Sequence, residues 1–338
     1  MTAKDAPLAA LSVKRHVKFW TLHMSMLQRP YTSADNQRMT LAYFCLGGLD
    51  LLQHTDVISE KERAAYIDWI YAQQLPASEG GGFRGSPAGN KGDLPMTYTA
   101  LLALAILRDD FTRLDRDAVK RHVRDLQQPD GCFLSTPGWT EHDVRFTYCA
   151  FAVAYMLNDW AIFDMDKAIE YIGRCQNYEG AFAQEPGLES HAGSTYCVVG
   201  ALSLAQRLDV LRDRAQLERW ILSRQVPHSG FQGRVEKTAD TCYSFWCGAT
   251  AMMLGCHAAI DAASDAAYML SAQSPMGGIA KVPENPPDVL HSYLSYAALA
   301  MHRHDQLPQS DLPFPPLDPA INLSQSSLAW LQTHLWHT

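Results

Sequence analysis

Two kinds of apolar pattern alternate along this chain. In one, apolar residues return every three or four positions with charges between them, as at Val119, Val123 and Leu126, and again at Met165, Ile169 and Ile172. That is the stripe of a helix with one face against a core. In the other, residues 96–107, 144–157, 194–204, 241–254 and 290–301 are apolar almost all round, with an earlier copy at 38–52. A helix apolar on every side is buried on every side. Between the two kinds recurs a Gln followed by Gly and an aromatic or aliphatic residue: Gln73 to Gly82-Phe83, Gln127 to Gly131-Cys132-Phe133, Gln176 to Gly180-Ala181-Phe182, Gln225 to Gly230-Phe231, and Gln273 to Gly278-Ile279. The end residues stand 50, 49, 49 and 48 positions apart, so the chain is one helix-pair unit repeated. Six buried helices alternating with amphipathic ones, the last at 324–331, predict two concentric rings. The expected fold is an all-α, α/α toroid of six helix pairs, in one domain over residues 1–338. An open helical solenoid has the same periodicity and is the structural alternative.

Composition changes this picture little. The chain is 47% hydrophobic and 19% charged with a net charge of −8, which argues against a nucleic-acid partner. The first twenty residues lack the apolar core of a signal peptide, and the densest apolar stretch, 148–157, is too short to span a bilayer. A cytoplasmic protein is expected, with its eight cysteines as free thiols. The loop 78–93 carries six glycines without the Gly-Lys-Ser/Thr ending of a phosphate loop. Residues 308–319 hold five prolines and read as an extended segment before the last helix.

Chemistry enters where the repeats depart from themselves. Aligned on Tyr98, Tyr148, Tyr196, Tyr243 and Tyr293, the preceding slot reads Thr97, Thr147, Thr195, Cys242 and Ser292. One slot earlier stand Met96, Phe146, Ser194, Thr241 and His291, and before those Pro95, Arg145, Gly193, Asp240 and Leu290. An acid, a thiol and an imidazole thus replace the usual residues in two successive units. Neighbouring units bring Asp240, Cys242 and His291 to one rim, and three such ligands leave a coordination site open, as in a catalytic zinc centre. Taken singly, Asp240 is also a plausible N-cap, Cys242 a core thiol and His291 a core histidine. Arg234 and Lys237 lie in the loop before Asp240, and His191 in the equivalent loop of the preceding unit. Cations beside a metal rim point to a phosphate or diphosphate. Aromatic residues of the buried helices, among them Phe44, Tyr98, Phe146 and Trp246, either line an apolar cavity or pack the core.

These words of sequence resemble the β subunits of protein prenyltransferases, over nearly the whole chain from about His16 to Leu331. The most specific are Asp240-Thr-Cys-Tyr-Ser-Phe-Trp246, Gly187-Leu-Glu-Ser-His-Ala-Gly-Ser-Thr195, Met96-Thr-Tyr-Thr99 and Asp288-Val-Leu-His291. The first of them, with Arg38-Met-Thr-Leu-Ala-Tyr-Phe44, is most similar to type I protein geranylgeranyltransferase. The resemblance implies zinc on Asp240, Cys242 and His291. It implies catalytic groups at the diphosphate in His191, Arg234, Lys237 and Tyr243, with Lys281 replacing the Asp of magnesium-dependent farnesyltransferases. Magnesium is therefore not expected. It also implies substrate contacts at Thr40, Phe44, Arg145, Ala192, Gly193 and Trp246. Thr40 stands where farnesyltransferases carry a Trp that shortens the cavity. The implied reaction is attack by the cysteine thiolate of a C-a-a-X protein, such as a small GTPase, on geranylgeranyl diphosphate. The family works with an α subunit. The loop 80–93 departs from animal relatives in being shorter.

Four other readings compete. A terpene cyclase shares the toroid but needs an Asp-x-Asp-Asp motif, which is absent here. A toroidal binding scaffold would need no metal. Farnesyltransferase and the Rab-modifying enzyme are the near alternatives, the first opposed by Thr40 and Lys281.

Overall fold

The computed structural model describes residues 10–307 and 310–336. Twelve helices pair as inner and outer. The inner ones are α2 (Arg38–Leu51), α4 (Leu94–Ile106), α6 (Val144–Met156), α8 (Ala192–Leu204), α10 (Thr241–Met253) and α12 (Val289–Asp305). The outer ones are α1 (Val13–Ser25), α3 (Glu60–Tyr71), α5 (Arg116–Leu126), α7 (Met165–Cys175), α9 (Arg214–Leu222) and α11 (Ala262–Ser271). Each inner helix packs on the next, and α12 packs back on α2. The ring is closed, which removes the open solenoid. Every residue of α4 except Pro95 is buried, as its unbroken apolar run requires. The outer α5 buries Val119, Val123 and Leu126 as one stripe. In α7 the stripe is rotated: Ala168, Tyr171, Ile172 and Cys175 are buried, with Met165 and Ile169 at its margin.

The recurring Gln has a mechanical role. Its side-chain amide hydrogen-bonds the backbone at the start of the next outer helix, at the capping residue itself in the clearest cases. Gln127 exchanges two bonds with Asp164, and Gln225 two with Asp261. Those aspartates in turn accept amides of the first turns of α7 and α11. The first member of the series is Gln74, which clasps Asp115; the neighbouring Gln73 is buried and turns to Trp69 and Arg84. The last member, Gln273, accepts from the N–H of Ser12, the residue before α1, so the outer ring closes on α1. The glycines that follow allow close approach. A Cβ on Gly131 would lie 2.0 Å from the Lys167 carbonyl, and one on Gly277 2.2 Å from that of Arg15, both at positive φ.

The final helix, α13 (Gln325–Leu335), is not a ring member, contrary to the alternation read from sequence. It packs on α4 and α6 and across the short hairpin of β1 (Leu317–Asp318) and β2 (Leu323–Ser324). The hairpin tip plugs the barrel. Tyr98 donates its hydroxyl to the Ile321 carbonyl, Tyr148 to Ala320, Tyr196 to Pro319, and both Tyr43 and Tyr293 to Asn322. This is why a tyrosine recurs in the inner helices: a buried loop must find donors for its carbonyls. The expected extended segment begins at residues outside those described and ends in this hairpin. Among the described residues no helix is long and apolar enough to cross a membrane.

Candidate metal centre

The inner helices begin at the rim opposite the plug, and their caps define the true register of the units. Asp93, Asp143, His191, Asp240 and Asp288 each cap one of α4, α6, α8, α10 and α12, their side chains accepting a first-turn amide. The following residue ties the unit to its neighbour: Leu94 N–H donates to Ser135, Val144 to Gln184, Ala192 to Gly233 and Thr241 to Lys281. Counted from the cap, the recurring tyrosine has its counterpart in Phe245, which packs on Tyr196 at 5.1 Å. Tyr243 lies two residues earlier and is not the repeat's tyrosine. Alignment on Tyr243 is therefore wrong by two positions. In the corrected register Asp240 is the unit's ordinary cap and His191 the exception among acids. Cys242 stands where the others have Pro95, Arg145, Gly193 and Leu290. Tyr243 and His291 share a slot with Met96, Phe146 and Ser194.

The correction leaves the convergence intact. A carboxylate oxygen of Asp240, the sulfur of Cys242 and a ring nitrogen of His291 all lie within 4.8 Å of one another, and no other such group of three occurs among the described residues. Tetrahedral zinc, with bonds of about 2.0 to 2.3 Å, needs ligand atoms only about 1 Å closer than that. The three single-residue readings also hold. Asp240 caps α10 through a 3.0 Å bond from the Cys242 N–H, Cys242 is buried, and the partly buried His291 donates Nδ1–H to the Asp288 carboxylate at 2.7 Å. Cap and ligand are compatible because the carboxylate has lone pairs to spare. His291 Nε2 faces Asp240 at 3.3 Å and is the nitrogen left for a metal. The donor set fits a divalent, borderline-soft cation such as zinc.

Electrostatics at the triad are poised for proton release. Burial alone would lower the His291 pKa, but bonds to Asp240 and Asp288 outweigh it and raise it to about 9. Burial, reinforced by the Asp240 charge, pushes the Cys242 thiol well above its usual range. Asp240 is held below its usual value, burial being overcome by its bonds from His291 and Cys242. A bound dication replaces two protons, one on sulfur and one on Nε2.

Beside the triad lies a donor pair. His191 accepts the Gly193 and Ser194 N–H groups at Nδ1, so its proton sits on Nε2, which donates to the Tyr243 oxygen at 3.0 Å. Burial, and then Arg234, lower the His191 pKa, which keeps the ring neutral. The Tyr243 pKa is raised to about 12 by burial and by Cys242 and Asp240, so its O–H stays a donor, and it is free to point at a ligand. The ring of Tyr243 fits because residue 233 is glycine; a Cβ there would lie 2.1 Å from it. With an imidazole instead of an aspartate at the cap, the positive end of α8 is not neutralised, which favours an anion at this rim.

The cations are differently placed. Arg234 pairs with Glu189 at 3.0 Å, Lys281 with Asp240 at 3.6 Å, and Arg145 with Asp143 and Glu141 at 2.6 and 3.1 Å. Lys237 is exposed and makes no ion pair among the described residues. Ala192 is fully buried with its N–H committed to Gly233, and Gly193 is committed to His191. Thr40, on the opposite arc, places its hydroxyl 3.4 Å from Met96 Sδ and from Thr99. Phe44 packs on Tyr293, and Trp246 on Tyr196 at 4.8 Å, both half-buried. A cavity of about 510 Å³ lies outside the inner ring between α1, α2 and α3, and none of the predicted site residues lines it. Asp288 opens the Asp288-Val-Leu-His291 word but is given no role by the sequence reading, although it stands in the same place before its tyrosine as Asp93 and Asp143.

Known proteins place this geometry. The family model of the prenyltransferase alpha-alpha toroid domain matches residues 11–323. The chain is 36% identical to the geranylgeranyl transferase type-1 subunit beta of Dictyostelium discoideum, over 94% of this chain and 96% of the relative. It is 34% identical to the Arabidopsis thaliana subunit of the same name, over 88% and 87%. The solved structure of Candida albicans protein geranylgeranyltransferase-I complexed with GGPP superposes with a TM-score of 0.88, covering 97% of this chain and 100% of that one at 24% identity, a likeness of fold. This chain, with its closed double ring and its metal-competent rim, belongs to the prenyltransferase alpha-alpha toroid family.

Proposed function

We propose that the chain is the catalytic β subunit of a type I protein geranylgeranyltransferase, one domain over residues 1–338, acting in the cytoplasm with an α subunit. Its substrates are geranylgeranyl diphosphate and proteins ending in C-a-a-X with Leu or Phe last, small GTPases among them. The observation that carries this is the convergence of Asp240, Cys242 and His291 beside the His191–Tyr243 donor pair. Family membership and the relatives of that name support it.

Bound zinc supplies the Lewis acidity that keeps an incoming thiol ionised near neutral pH. The chain's own residues do the rest. Asp240, Cys242 and His291 would hold the ion. As the substrate sulfur bonds to C1 of the lipid, the C1–O bond breaks and charge grows on the diphosphate. Tyr243 donates to that charge, and its oxygen is polarised by His191 Nε2–H. Arg234 exchanges Glu189 for the diphosphate, and Lys237 is already unpaired. The His191–Tyr243 pair, already hydrogen-bonded, stabilises the transition state without reorganising. Lys281 adds a fixed positive charge, so the reaction proceeds without magnesium. Thr40, Phe44 and Trp246 shape the lipid cavity; Arg145, Ala192 and Gly193 frame its mouth.

The test is co-expression with an α subunit and assay of both lipid diphosphates on peptides ending in Leu, Ser or Met. Geranylgeranyl transfer to the Leu peptide without added magnesium is expected. Thr40→Trp should shift preference toward farnesyl by about tenfold or more, as a filled cavity end rejects the longer chain. Equal use of both lipids by the wild type would refute the subtype, and absence of any transfer would refute the reading.

A further inference from the structure

Beneath the metal rim, α11 presents a carboxylate that takes no part in the chemistry described above. Asp265 is fully buried. One of its oxygens accepts from Ser244 Oγ at 2.7 Å, and the other meets His302 Nε2 at 2.7 Å. Ser244 and His302 are also fully buried. Ser244 lies in the first turns of α10, two residues after Cys242 and one after Tyr243. His302 lies on α12, eleven residues beyond His291, which at 3.6 residues per turn is about three turns along the same face. One side chain therefore grips both helices that supply the metal ligands.

The repeat shows that this grip is a departure. In three other units the hydroxyl four residues after the cap accepts the amide of its own unit's aromatic or aliphatic mark: Thr97 from Phe83, Thr195 from Phe182 and Ser292 from Ile279, at 2.9, 3.1 and 2.8 Å. Ser244 occupies the same place and instead turns its proton to Asp265. Ser292, on α12, keeps the ordinary arrangement. In the remaining unit the equivalent Thr147 hydroxyl makes no hydrogen bond among the described residues, so the carboxylate partner is found only on the helix that carries Asp240, Cys242 and Tyr243.

We propose that Asp265 is a positioning residue for the metal centre: through Ser244 and His302 it sets the register of α10 against α12, and so the spacing of Cys242 from His291. A buried hydrogen-bonded pair is stiff because breaking it leaves an unpaired group in a low-dielectric interior. Apolar packing alone leaves helices free to slide by fractions of an ångström, and metal geometry does not tolerate that. The proposal rests on Asp240, Cys242 and His291 binding a metal.

Cobalt(II) separates the two. With the full chain loaded with Co²⁺, a thiolate-to-cobalt absorption band reports the Cys242 bond, and the visible d–d envelope reports the coordination geometry. Ser244→Ala, which leaves Asp265 paired with His302, should weaken cobalt retention against a competing chelator by about 3- to 10-fold. That is less than the 10- to 100-fold typical of groups bonded directly to a ligand. It should also change the d–d envelope, and Ser244→Thr should restore both. Asp265→Asn should act in the same direction and more strongly. Thr250→Ala removes a buried hydroxyl of α10 that bonds only to the Trp246 carbonyl, and it should change neither. Wild-type retention and spectra in Ser244→Ala, with only a lowered melting temperature, would overturn the proposal. A wild-type chain that develops no thiolate band would overturn the metal reading, and the proposal with it.

Discussion

The two ends of the barrel are built from the same repeat and differ in what they do with it. At the plugged end, Tyr43, Tyr98, Tyr148, Tyr196 and Tyr293 perform one task, donating to the carbonyls of residues 319–322. At the open rim, equivalent positions hold Pro95, Arg145, Gly193, Cys242 and Leu290, which share no task. Repetition therefore marks the scaffold, and divergence at a repeated position marks the chemistry. The capping residue shows how little change this takes. Of α4, α6, α8, α10 and α12, four are capped by an aspartate; at α10 it is also a member of the triad, at α12 it fixes a histidine, and at α8 His191 replaces it and orients a tyrosine.

The comparison can be broken or sharpened by substitutions at each end. Cys242→Ala at the rim should eliminate metal retention and cut prenyl transfer by more than about 100-fold, the upper range for groups that merely bond to a ligand. Its melting temperature should fall only slightly below that of the metal-free wild type, because the change removes a single buried sulfur from the core. Asp288→Asn should weaken zinc affinity by about 10- to 100-fold, since the carboxylate fixes the ring and the free nitrogen of His291; chelator competition measures this. At the other end, Tyr148→Phe should destabilise the fold by about 1 to 3 kcal/mol, leaving the Ala320 carbonyl with only the 3.4 Å contact from the Tyr196 hydroxyl. Zinc affinity should be unchanged. A fall in both would show that the two ends are not independent.

The smallest effect is on pH dependence. The folded-state pKa of His291 is raised, so its contribution to stability is complete below about 6.5, its unfolded value, and is lost as pH rises through about 9. Denaturation of the metal-free chain should show that loss across this window, and Asp288→Asn should reduce it. With metal bound the dependence reverses, because the dication displaces the His291 and Cys242 protons and binds more tightly as pH rises.

Much of the scaffold was legible because helical periodicity and a repeat of about 49 residues are local, redundant signals. What escaped was partner identity across units. Gln73 and Gln74 are adjacent, and only the clasp onto Asp115 shows which one belongs to the series. Helix α13 has the apolar pattern of an outer helix, yet Gln273 had already closed the ring on α1. Tyr243 was misaligned with the recurring tyrosines although a spacing clue existed: Phe83, Phe133, Phe182 and Ile279 precede their tyrosines by 14 or 15 residues, and Phe231 precedes Tyr243 by 12 but Phe245 by 14. The triad survived that error because Cys242 and His291 stand out in either alignment, and Asp240, the ordinary cap, lies two residues before Cys242. Asp265 had no sequence signal at all, since its partners come from two other helices.

The central claim is that Asp240, Cys242 and His291 hold one zinc ion with a position left open. X-ray absorption at the zinc edge of the purified wild-type chain tests it most directly. The account predicts one zinc per chain with a single sulfur at about 2.3 Å and nitrogen or oxygen neighbours at about 2.0 to 2.2 Å, the sulfur scatterer vanishing in Cys242→Ala. A chain that retains no zinc, or one whose zinc keeps its sulfur after that substitution, would contradict it.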